Sequence, residues 1–455
     1  MLMRVAKKNL VLLGVFAGML SFLSPDIFLF LLVLMVMYAY LCVRYTSGDE
    51  KRFILSVATF AIALRVVLIV LYYYFFLLPG NMDILAPDGE CYQARGWYIS
   101  RFLTGQDIYA VPSPEQIFND YRAMVAYYNA QMPDWRLYQV GVFSYLIALI
   151  YSILSYVPLL IKFINALLSV LTGVLLYELG RYLFGKTVGR ISMLIFVFLP
   201  SVFVFSLTST RDPLAIFLLT SAVYSLTRYY TAGRQSYLIL LALTIIAVYF
   251  IRLSAFPSLL FVSLFSLFLS LSPKLRWKLF FIFAASLIAF SPAFKGRMID
   301  YFNLAKITNP HIGYIHTPGN NYKIFADGYY SGEKDISRIT PLEFSAALAK
   351  GFVHYLFEPF PWSIKSKGES VGISQTIFWM VFFPFVVLGV ALNLRYKLKK
   401  GHVALMYIFI FSVMLSIGEG NVGTVFRHRD MVMPFFIIFG AAGLSNIFGR
   451  AELTA

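Results

Sequence analysis

Two carboxylates, Asp88 and Glu90, lie two residues apart in a polar stretch that follows the apolar run 54–78. Polar groups at the edge of a membrane are costly to place, so they are candidates for function. A carboxylate here can act as general base on an acceptor hydroxyl, or hold a divalent cation beside a phosphate. A solvated loop carboxylate is the other interpretation, and position alone does not decide between them.

A second acid, Asp212, follows Arg211 and precedes Pro213 at the outer end of an apolar run. An acidic residue followed by proline is typical of a helix start, where the side chain caps backbone amides. The sequence therefore predicts a helix that begins at Asp212. Capping does not exclude a role in chemistry.

The basic cluster Arg427, His428 and Arg429 precedes the last apolar run. Guanidinium groups form bidentate bonds to phosphate and a helix start adds a favourable potential, so we interpret this cluster as a phosphate site. An anchor for lipid headgroups is the alternative. Arg252, between two apolar runs, is open to the same two interpretations. Among the aromatic residues of the outer segments, Tyr92 is a candidate for stacking on a sugar ring.

The composition indicates what kind of protein must position these residues. Of the 455 residues, 60% are hydrophobic and only 13% are charged, and the net charge is +16. Many apolar stretches approach the length of about 20 residues that crosses a bilayer. The basic residues cluster in short loops, which is the pattern of membrane orientation and not of nucleic-acid binding. We therefore predict an all-α polytopic membrane protein without a nucleic-acid partner.

We predict a bundle of about 12 transmembrane helices, with two large outer-face loops and interfacial helices. The predicted spans are 9–23, 27–42, 54–78, 163–180, 191–207, 213–228, 237–251, 255–272, 279–293, 374–394, 402–417 and 431–448. Short basic loops are assigned to the cytoplasm, which places the polar segments 79–136 and 294–373 on the opposite face. The apolar stretch 137–157 would reverse this order if it crossed, so we predict an interfacial or re-entrant helix there.

The predicted organisation has four parts. They are an N-terminal helical hairpin (1–53), a transmembrane core that includes the first outer loop and the interfacial helix (54–293), the second outer loop (294–373) and the C-terminal transmembrane helices (374–455).

Four motifs occur in order along the chain. They are Asp88-Gly-Glu-Cys-Tyr-Gln-Ala94, the stretch Leu175–Lys186, Leu199-Pro-Ser201 with Asp212-Pro-Leu214, and Arg427-His-Arg429 with Pro434. Together they resemble landmarks of the GT-C membrane glycosyltransferases, and this resemblance implies that the predicted bundle is GT-C-like. The nearest resemblance is to glycosyltransferase family 39, which includes protein mannosyltransferases and the lipid A aminoarabinose transferase. It covers about residues 54–260 and the last span.

The resemblance implies an enzyme that moves a sugar, with inversion, from a polyprenyl-phosphate donor to a lipid, glycan or protein acceptor. It implies a site on the extracytoplasmic face of a bacterial or archaeal plasma membrane, in the synthesis of cell-envelope glycans. Asp88 matches the first-loop acid commonly assigned as catalytic base or metal-site residue, and Asp212 matches the second outer-loop acid.

This sequence departs from the family at two places. The usual Asp-Glu pair reads Asp88-Gly89, with Glu90 displaced by one position. Where a Lys-Pro-Pro stretch often helps to bind the donor phosphate, the chain has Asp134-Trp-Arg136, so Arg136 is the candidate substitute.

The chemistry of the residues and the family resemblance together give the predicted roles. Asp88 and Asp212 are the catalytic candidates. A divalent cation is left open as a cofactor, with Asp88 and Glu90 as its ligands. The residues predicted to bind substrate are Glu90, Tyr92, Arg136, Arg211, Arg252, Arg427, His428 and Arg429.

Two other classes of protein stay open at this point. A polymerase or ligase that uses lipid-linked oligosaccharides would share the polytopic body and the outer arginines. A transporter of lipid-linked sugars is the non-enzymatic alternative, although the predicted spans contain few charges. An essential Asp88 favours the enzymes, whereas transport that survives Asp88→Asn favours the carrier.

Overall fold

The structure is a computed structural model that describes residues 25–45, 48–77, 85–105, 141–272, 274–278, 308, 310–313, 319–364, 367–396 and 399–449. These ranges contain helices and one isolated bridge between Asn321 and Asn421, and no strand. The all-α prediction is therefore confirmed for the described residues.

The first eight helices lead up to and through the region of Asp88 and Asp212. They are α1 (Pro25–Arg44), α2 (Gly48–Tyr72), α3 (Pro87–Leu103), α4 (Val142–Leu154), α5 (Pro158–Phe184), α6 (Lys186–Val197), α7 (Pro200–Phe205) and α8 (Asp212–Ala232). Helix α2 continues as a π-helical turn, Tyr73–Leu77.

The second half of the chain adds eight more described helices. They are α9 (Ser236–Ile251), α10 (Phe256–Ser270), α11 (Asp327–Ser331), α12 (Pro341–Phe357), α13 (Lys367–Arg395), α14 (His402–Gly418), α15 (Val422–Arg429) and α16 (Met433–Ile447). Two short 3-10 turns, Ile336–Arg338 and Lys399–Gly401, precede α12 and α14.

Several of these helices are suited to a membrane. Among the described residues, three are long and apolar enough to cross it: Gly48–Leu77, Pro158–Phe184 and Gly372–Arg395. The pair α15 and α16, bent by 63°, is a fourth if it forms one broken span. Five shorter apolar helices accompany them. The protein is thus an integral membrane protein, while the count of about 12 spans stays a prediction because 9–23 and 279–293 lie outside the described residues.

The structure corrects two expectations about local structure. The polar stretch that begins at Asp88 is not a loop, because Pro87 opens helix α3 and places Asp88 and Glu90 in its first turn. Proline suits the first position of a helix, and carboxylates are stabilised by its positive end. The predicted continuous span 191–207 is instead divided, since Pro200 cannot continue α6 and starts α7.

Helix α4 lies inside the predicted interfacial stretch 137–157. It has 13 residues, a length of about 20 Å at 1.5 Å per residue. That is shorter than the hydrocarbon core of about 30 Å. The length suits an interfacial helix, and its side of the membrane stays a prediction.

The chain divides into two compact units. Unit 1 comprises Met1–Val174 and Val202–Phe217. Here α3 packs directly on α4, because a Cβ at Gly96 would lie 2.5 Å from Ile147. The rings of Tyr92 and Phe143 extend this contact, with centroids 5.4 Å apart.

Unit 2 comprises Leu175–Ser201 and Leu218–Ala455. Helices α13 and α16 approach through glycine. A Cβ at Gly389 would lie 1.8 Å from the carbonyl oxygen of Phe439, and one at Gly443 would lie 2.1 Å from that of Phe385. Small residues at contacts of this kind let membrane helices pack backbone against backbone.

Candidate active site

Helix α3 turns two different sides toward its surroundings within unit 1. Asp88 and Tyr92, four residues apart, share one side, while Gly89 and Gln93 share another. A Cβ at Gly89 would lie 3.1 Å from the amide nitrogen of Ser209. Gln93 donates from Nε2 to the hydroxyl oxygen of the same serine. The first turn of α3 is therefore held against the segment that leads into Asp212.

Asp212 begins helix α8, as predicted, and its side chain is 1% exposed. The side chain of Asn165, on α5, binds the non-helical residues that precede Asp212. The Asn165 amide donates from Nδ2 to the carbonyl oxygens of Thr208 at 2.8 Å and Thr210 at 2.7 Å. Buried carbonyl groups outside a helix need such partners. This amide thus fixes the place where α8 starts.

A buried arginine supports the same segment from helix α2. Arg65 donates from Nε to the Ser206 hydroxyl oxygen at 2.8 Å, and its guanidinium lies 4.5 Å from the ring centroid of Phe203. A charge inside an apolar span is costly unless it is paired or hydrogen-bonded. Arg65 therefore faces the helix bundle and joins α2 to the chain that precedes Asp212.

An ion pair links α3 to α5. Lys162 Nζ lies 3.0 Å from Glu90 Oε1, and the Lys162 side chain is 1% exposed. A buried ammonium requires a counter-ion, and removal of one partner leaves the other charge uncompensated. Sequence reasoning missed Lys162, although a lysine four residues into an apolar run was a signal of function.

A second contact joins α3 to α4. The Tyr151 hydroxyl donates to Gln93 Oε1 at 3.0 Å, and both side chains are buried. Gln93 therefore accepts from α4 and donates to the segment before Asp212. Together with the ion pair of Lys162, this fixes the rotation of α3 about its own axis.

Arg211 lies on the side of α3 that carries Asp88. Its guanidinium carbon is 5.8 Å from the centroid of the Tyr92 ring, within the range of a cation–π contact. Unit 1 thus groups two acids, Asp88 and Asp212, with a cation and an aromatic ring. Such a group can accept a proton and neutralise a developing negative charge.

Among the described residues, the neighbours of Asp88 show no arrangement of side chains suited to a divalent metal ion. Burial, with the Asp88 carboxylate as a further cause, raises the pKa of Cys91 to about 12, so this side chain stays a thiol. Glu90 already pairs with the Lys162 ammonium. In the part of the chain that the structure describes, no three His, Cys, Asp or Glu side chains are arranged to hold a metal ion.

The basic cluster of unit 2 has a different position from the one expected. Arg427, His428 and Arg429 close helix α15 instead of opening the final helix, which starts at Met433. The expected support from a helix N-terminus is therefore wrong. Cations in a last turn are stabilised by the negative end of their own helix.

The members of this cluster differ in environment. Arg429 is 0% exposed and donates from Nη1 to the carbonyl oxygens of Leu356 at 2.7 Å and Tyr355 at 3.3 Å. His428 pairs through Nδ1 with Glu419 Oε1. Arg427 is partly exposed. The accessible guanidinium of the cluster is therefore that of Arg427, whereas Arg429 caps the last turn of α12.

The backbone oxygen of Glu419 contacts a histidine that sequence reasoning did not select. His311 meets it through Nδ1 and is fully buried among aromatic rings, including Tyr322 and Phe325. Burial lowers the pKa of His311 to about 4, so the imidazole is neutral at physiological pH.

The motif Leu199-Pro-Ser201 has a structural explanation within unit 2. The Ser201 hydroxyl donates to Asp430 Oδ1 at 2.8 Å, and its backbone amide donates to Gln375 Oε1 at 2.6 Å. Gln375 also donates to Asp430 at 3.4 Å. These buried groups join α7, α13 and the turn that follows Arg429.

The predicted site residues therefore fall into three sets. Unit 1 contains Asp88, Glu90, Tyr92, Arg211 and Asp212. Unit 2 contains Arg427, His428, Arg429 and the buried Arg252, which ends α9. Arg136 lies outside the described residues.

Lys162→Met should reduce catalysis, because Glu90 loses its counter-ion and α3 loses a contact that sets the position of Asp88. We expect turnover to fall about 10- to 100-fold, the scale of a small misplacement of a reacting group. Glu90→Gln in the Lys162→Met background should add little, since the two changes remove one interaction. Transfer rates of the wild type, Lys162→Met, Glu90→Gln and the double variant measure the coupling between the two residues.

Lys186→Met, an exposed lysine at the start of α6, is the matched control and should keep wild-type turnover. Additive losses in the cycle would show that Glu90 and Lys162 act separately. An unchanged rate in Lys162→Met would show that the ion pair has no role in activity.

Comparison with known proteins bears on what this site does. Neither a curated protein nor a solved structure matches the chain. A model of the dolichyl-phosphate-mannose-protein mannosyltransferase family matches residues 141–294, about one third of the chain. The matched part includes Lys162, Asn165 and Asp212. This match confirms the resemblance of residues 141–294 to the protein mannosyltransferase group of family 39 within the GT-C glycosyltransferases.

Proposed function

We propose that this protein transfers a sugar, with inversion, from a polyprenyl-phosphate donor to an acceptor hydroxyl on the extracytoplasmic face of a bacterial or archaeal plasma membrane. The observation that carries the proposal is the contact of α3, whose first turn carries Asp88, with the segment that leads into Asp212, through Ser209 and Arg211. A lipid-phosphate sugar is an amphiphile, so its reaction belongs at the membrane edge, where such groups have their largest electrostatic effect.

Asp88 is the proposed general base. It accepts the proton of the acceptor hydroxyl while the hydroxyl oxygen forms a bond to the anomeric carbon of the sugar. The bond between that carbon and the phosphate oxygen breaks, and polyprenyl phosphate leaves with the electron pair. Attack on the face opposite the phosphate gives inversion. No step requires a metal ion.

Arg211 is the proposed cation for the leaving phosphate in unit 1. Negative charge grows on the phosphate as the bond breaks, and a fixed guanidinium stabilises this charge more in the transition state than in the ground state. Tyr92, on the same side of α3, is the proposed stacking partner for the sugar ring. Asp212 is proposed to orient the acceptor.

Arg427 is proposed as a second phosphate contact. Its guanidinium is the partly exposed one of its cluster, and guanidinium binds phosphate through two parallel hydrogen bonds. Arg252, His428 and Arg136 keep their predicted roles as further contacts to the donor. Arg429 is placed differently, because its Nη1 atom is already bonded to two carbonyl oxygens.

The test is transfer of radiolabelled sugar from a panel of polyprenyl-phosphate sugars by the purified protein in nanodiscs, with native membrane extract as acceptor. We expect one donor to support transfer by the wild type and none to support transfer by Asp88→Asn.

Two results would overturn the proposal. Transfer only from a pyrophosphate-linked oligosaccharide would indicate a polymerase or ligase. Movement of a lipid-linked sugar across the membrane that is equal in wild type and Asp88→Asn, without transfer, would indicate a transporter.

A further inference from the structure

Helix α12, in the second predicted outer loop, carries an apolar stripe on its exposed side. Leu342, Ala346, Ala349 and Val353 follow each other at intervals of four, three and four residues, which places them on one helix face. Leu342 is 79% exposed and Val353 is 50% exposed. A helix that faces water normally carries its charged residues there.

The acidic and basic residues of α12, Glu343, Lys350 and His354, share a flank of the helix, where Lys350 is exposed. Glu343 accepts a hydrogen bond from the Tyr329 hydroxyl at 3.1 Å. His354 stacks on the Tyr322 ring, with centroids 4.3 Å apart. This flank therefore faces the segment 319–338, and none of the contacts known for the described residues covers the apolar stripe.

The face opposite the stripe packs on helix α14. A Cβ at Gly351 would lie 2.1 Å from the carbonyl oxygen of Ser416, and the Ser412 hydroxyl donates to the Tyr355 hydroxyl at 3.3 Å. Because contacts advance along α12 as they go back along α14, the two helices are antiparallel. The C-terminal half of α12 thus runs toward the middle of α14.

Helix α14 has no charged residue between His402 and Glu419, and it coincides with the predicted span 402–417. Ser412 lies six residues before its last residue, Gly418. At 1.5 Å per residue this is a depth of about 9 Å below the end of the helix. With the end of α14 at the membrane surface, as the predicted span 402–417 expects, the last turn of α12 lies at the level of hydrocarbon, beside the middle part of α14.

The end of α12 is built for a place without water. The last carbonyl groups of a helix lack partners within it, and in hydrocarbon water does not supply them. Here Arg429 Nη1 donates hydrogen bonds to the carbonyl oxygens of Tyr355 and Leu356. The buried Glu358 accepts from the Phe360 amide at 2.9 Å and pairs with His354 at 2.8 Å.

We propose that α12 is a re-entrant helix whose stripe of Leu342, Ala346, Ala349 and Val353 contacts the acyl chains of the bilayer. The partner of this surface is lipid. Arg429 acts in it as the cap of the inserted end, a role distinct from binding the donor. Trp362, which follows α12 and is highly exposed, is suited to the interface where the chain returns.

Spin labels test the proposal in the full-length protein in lipid nanodiscs. With Cys42 and Cys91 replaced by serine, single cysteines are introduced at Leu342, Ala349, Val353 and the exposed Lys334. We expect the ratio of collisions with oxygen to collisions with a water-soluble nickel chelate to rise from position 342 to position 353. At Lys334 the chelate should dominate. Equal access of the chelate to positions 353 and 334 would overturn the proposal.

A second measurement leaves both native cysteines in place. Benzoylphenylalanine at position 353 should crosslink to lipid on illumination, and at position 334 it should not. Crosslinking of position 353 to a second copy of the chain, or to another segment of the same chain, would overturn the proposal. Both measurements are independent of sugar transfer, so their outcome is separate from that of the proposed activity.

Discussion

Asp88→Asn should lower the rate of sugar transfer by about 10²- to 10⁴-fold, the usual contribution of a positioned general base. Asparagine keeps the size and hydrogen-bonding shape of the side chain but does not take the proton of the acceptor hydroxyl. The Gly89 contact with Ser209 and the Lys162 ion pair are untouched, so α3 should keep its place. Single-turnover transfer at saturating donor measures the loss.

The matched control is Asp327→Asn, an exposed carboxylate of α11 that pairs with Lys323 on the surface. It should leave the rate unchanged. Asp88→Glu should recover part of the activity, because a carboxylate returns in a shifted position. Full turnover by Asp88→Asn, or loss confined to Asp212→Asn, would show that Asp88 is not the base.

Arg427→Ala should lower turnover by about 10²- to 10³-fold, as removal of one transition-state donor does in other enzymes. Its thermal stability should stay close to that of the wild type, since the side chain is partly exposed. Arg427→Lys should restore part of the rate, because the charge returns without the bidentate geometry.

Arg429→Ala provides the contrast within one helical turn. It leaves the carbonyl groups of Tyr355 and Leu356 unsatisfied at about 1–3 kcal/mol for each buried group, so the folded protein should be lost at lower temperature. Thermal unfolding of both variants in the same detergent measures this difference. Near-wild-type turnover in Arg427→Ala would contradict its assignment to the phosphate, and wild-type stability in Arg429→Ala would contradict the capping role.

Apolar runs and turn residues predicted much of the helical framework. The start of α8 followed from Asp212 and Pro213, and the spans near α5, α9 and α14 followed from hydropathy alone. Helix α3 was missed because its polar composition resembles that of a loop, and its stability comes from packing on α4. Hydropathy also does not detect α15, a short polar helix, so its basic residues were assigned to the start of the next helix.

The sequence indicated which residues could belong to the site, but not which side chains contact each other. Asp88, Asp212 and Arg211 stand out because charge is rare in this chain. Their common location depends on Gly89, Gln93 and Asn165, uncharged residues whose partners lie far away in sequence. Lys162 was visible as a charge in an apolar run, but its partner Glu90 was not.

The close contact of Gly89 with Ser209 explains why the acidic pair of this chain is spaced differently from the usual one. A glutamate at position 89 would press on the backbone of Ser209, because its Cβ would lie 3.1 Å from the Ser209 amide nitrogen. One step along a helix rotates a side chain by about 100°, and at position 90 the carboxylate meets Lys162. Positions 89, 90, 162 and 209 therefore form one structural unit. A chimera that restores the usual Asp-Glu spacing would have to exchange all four together.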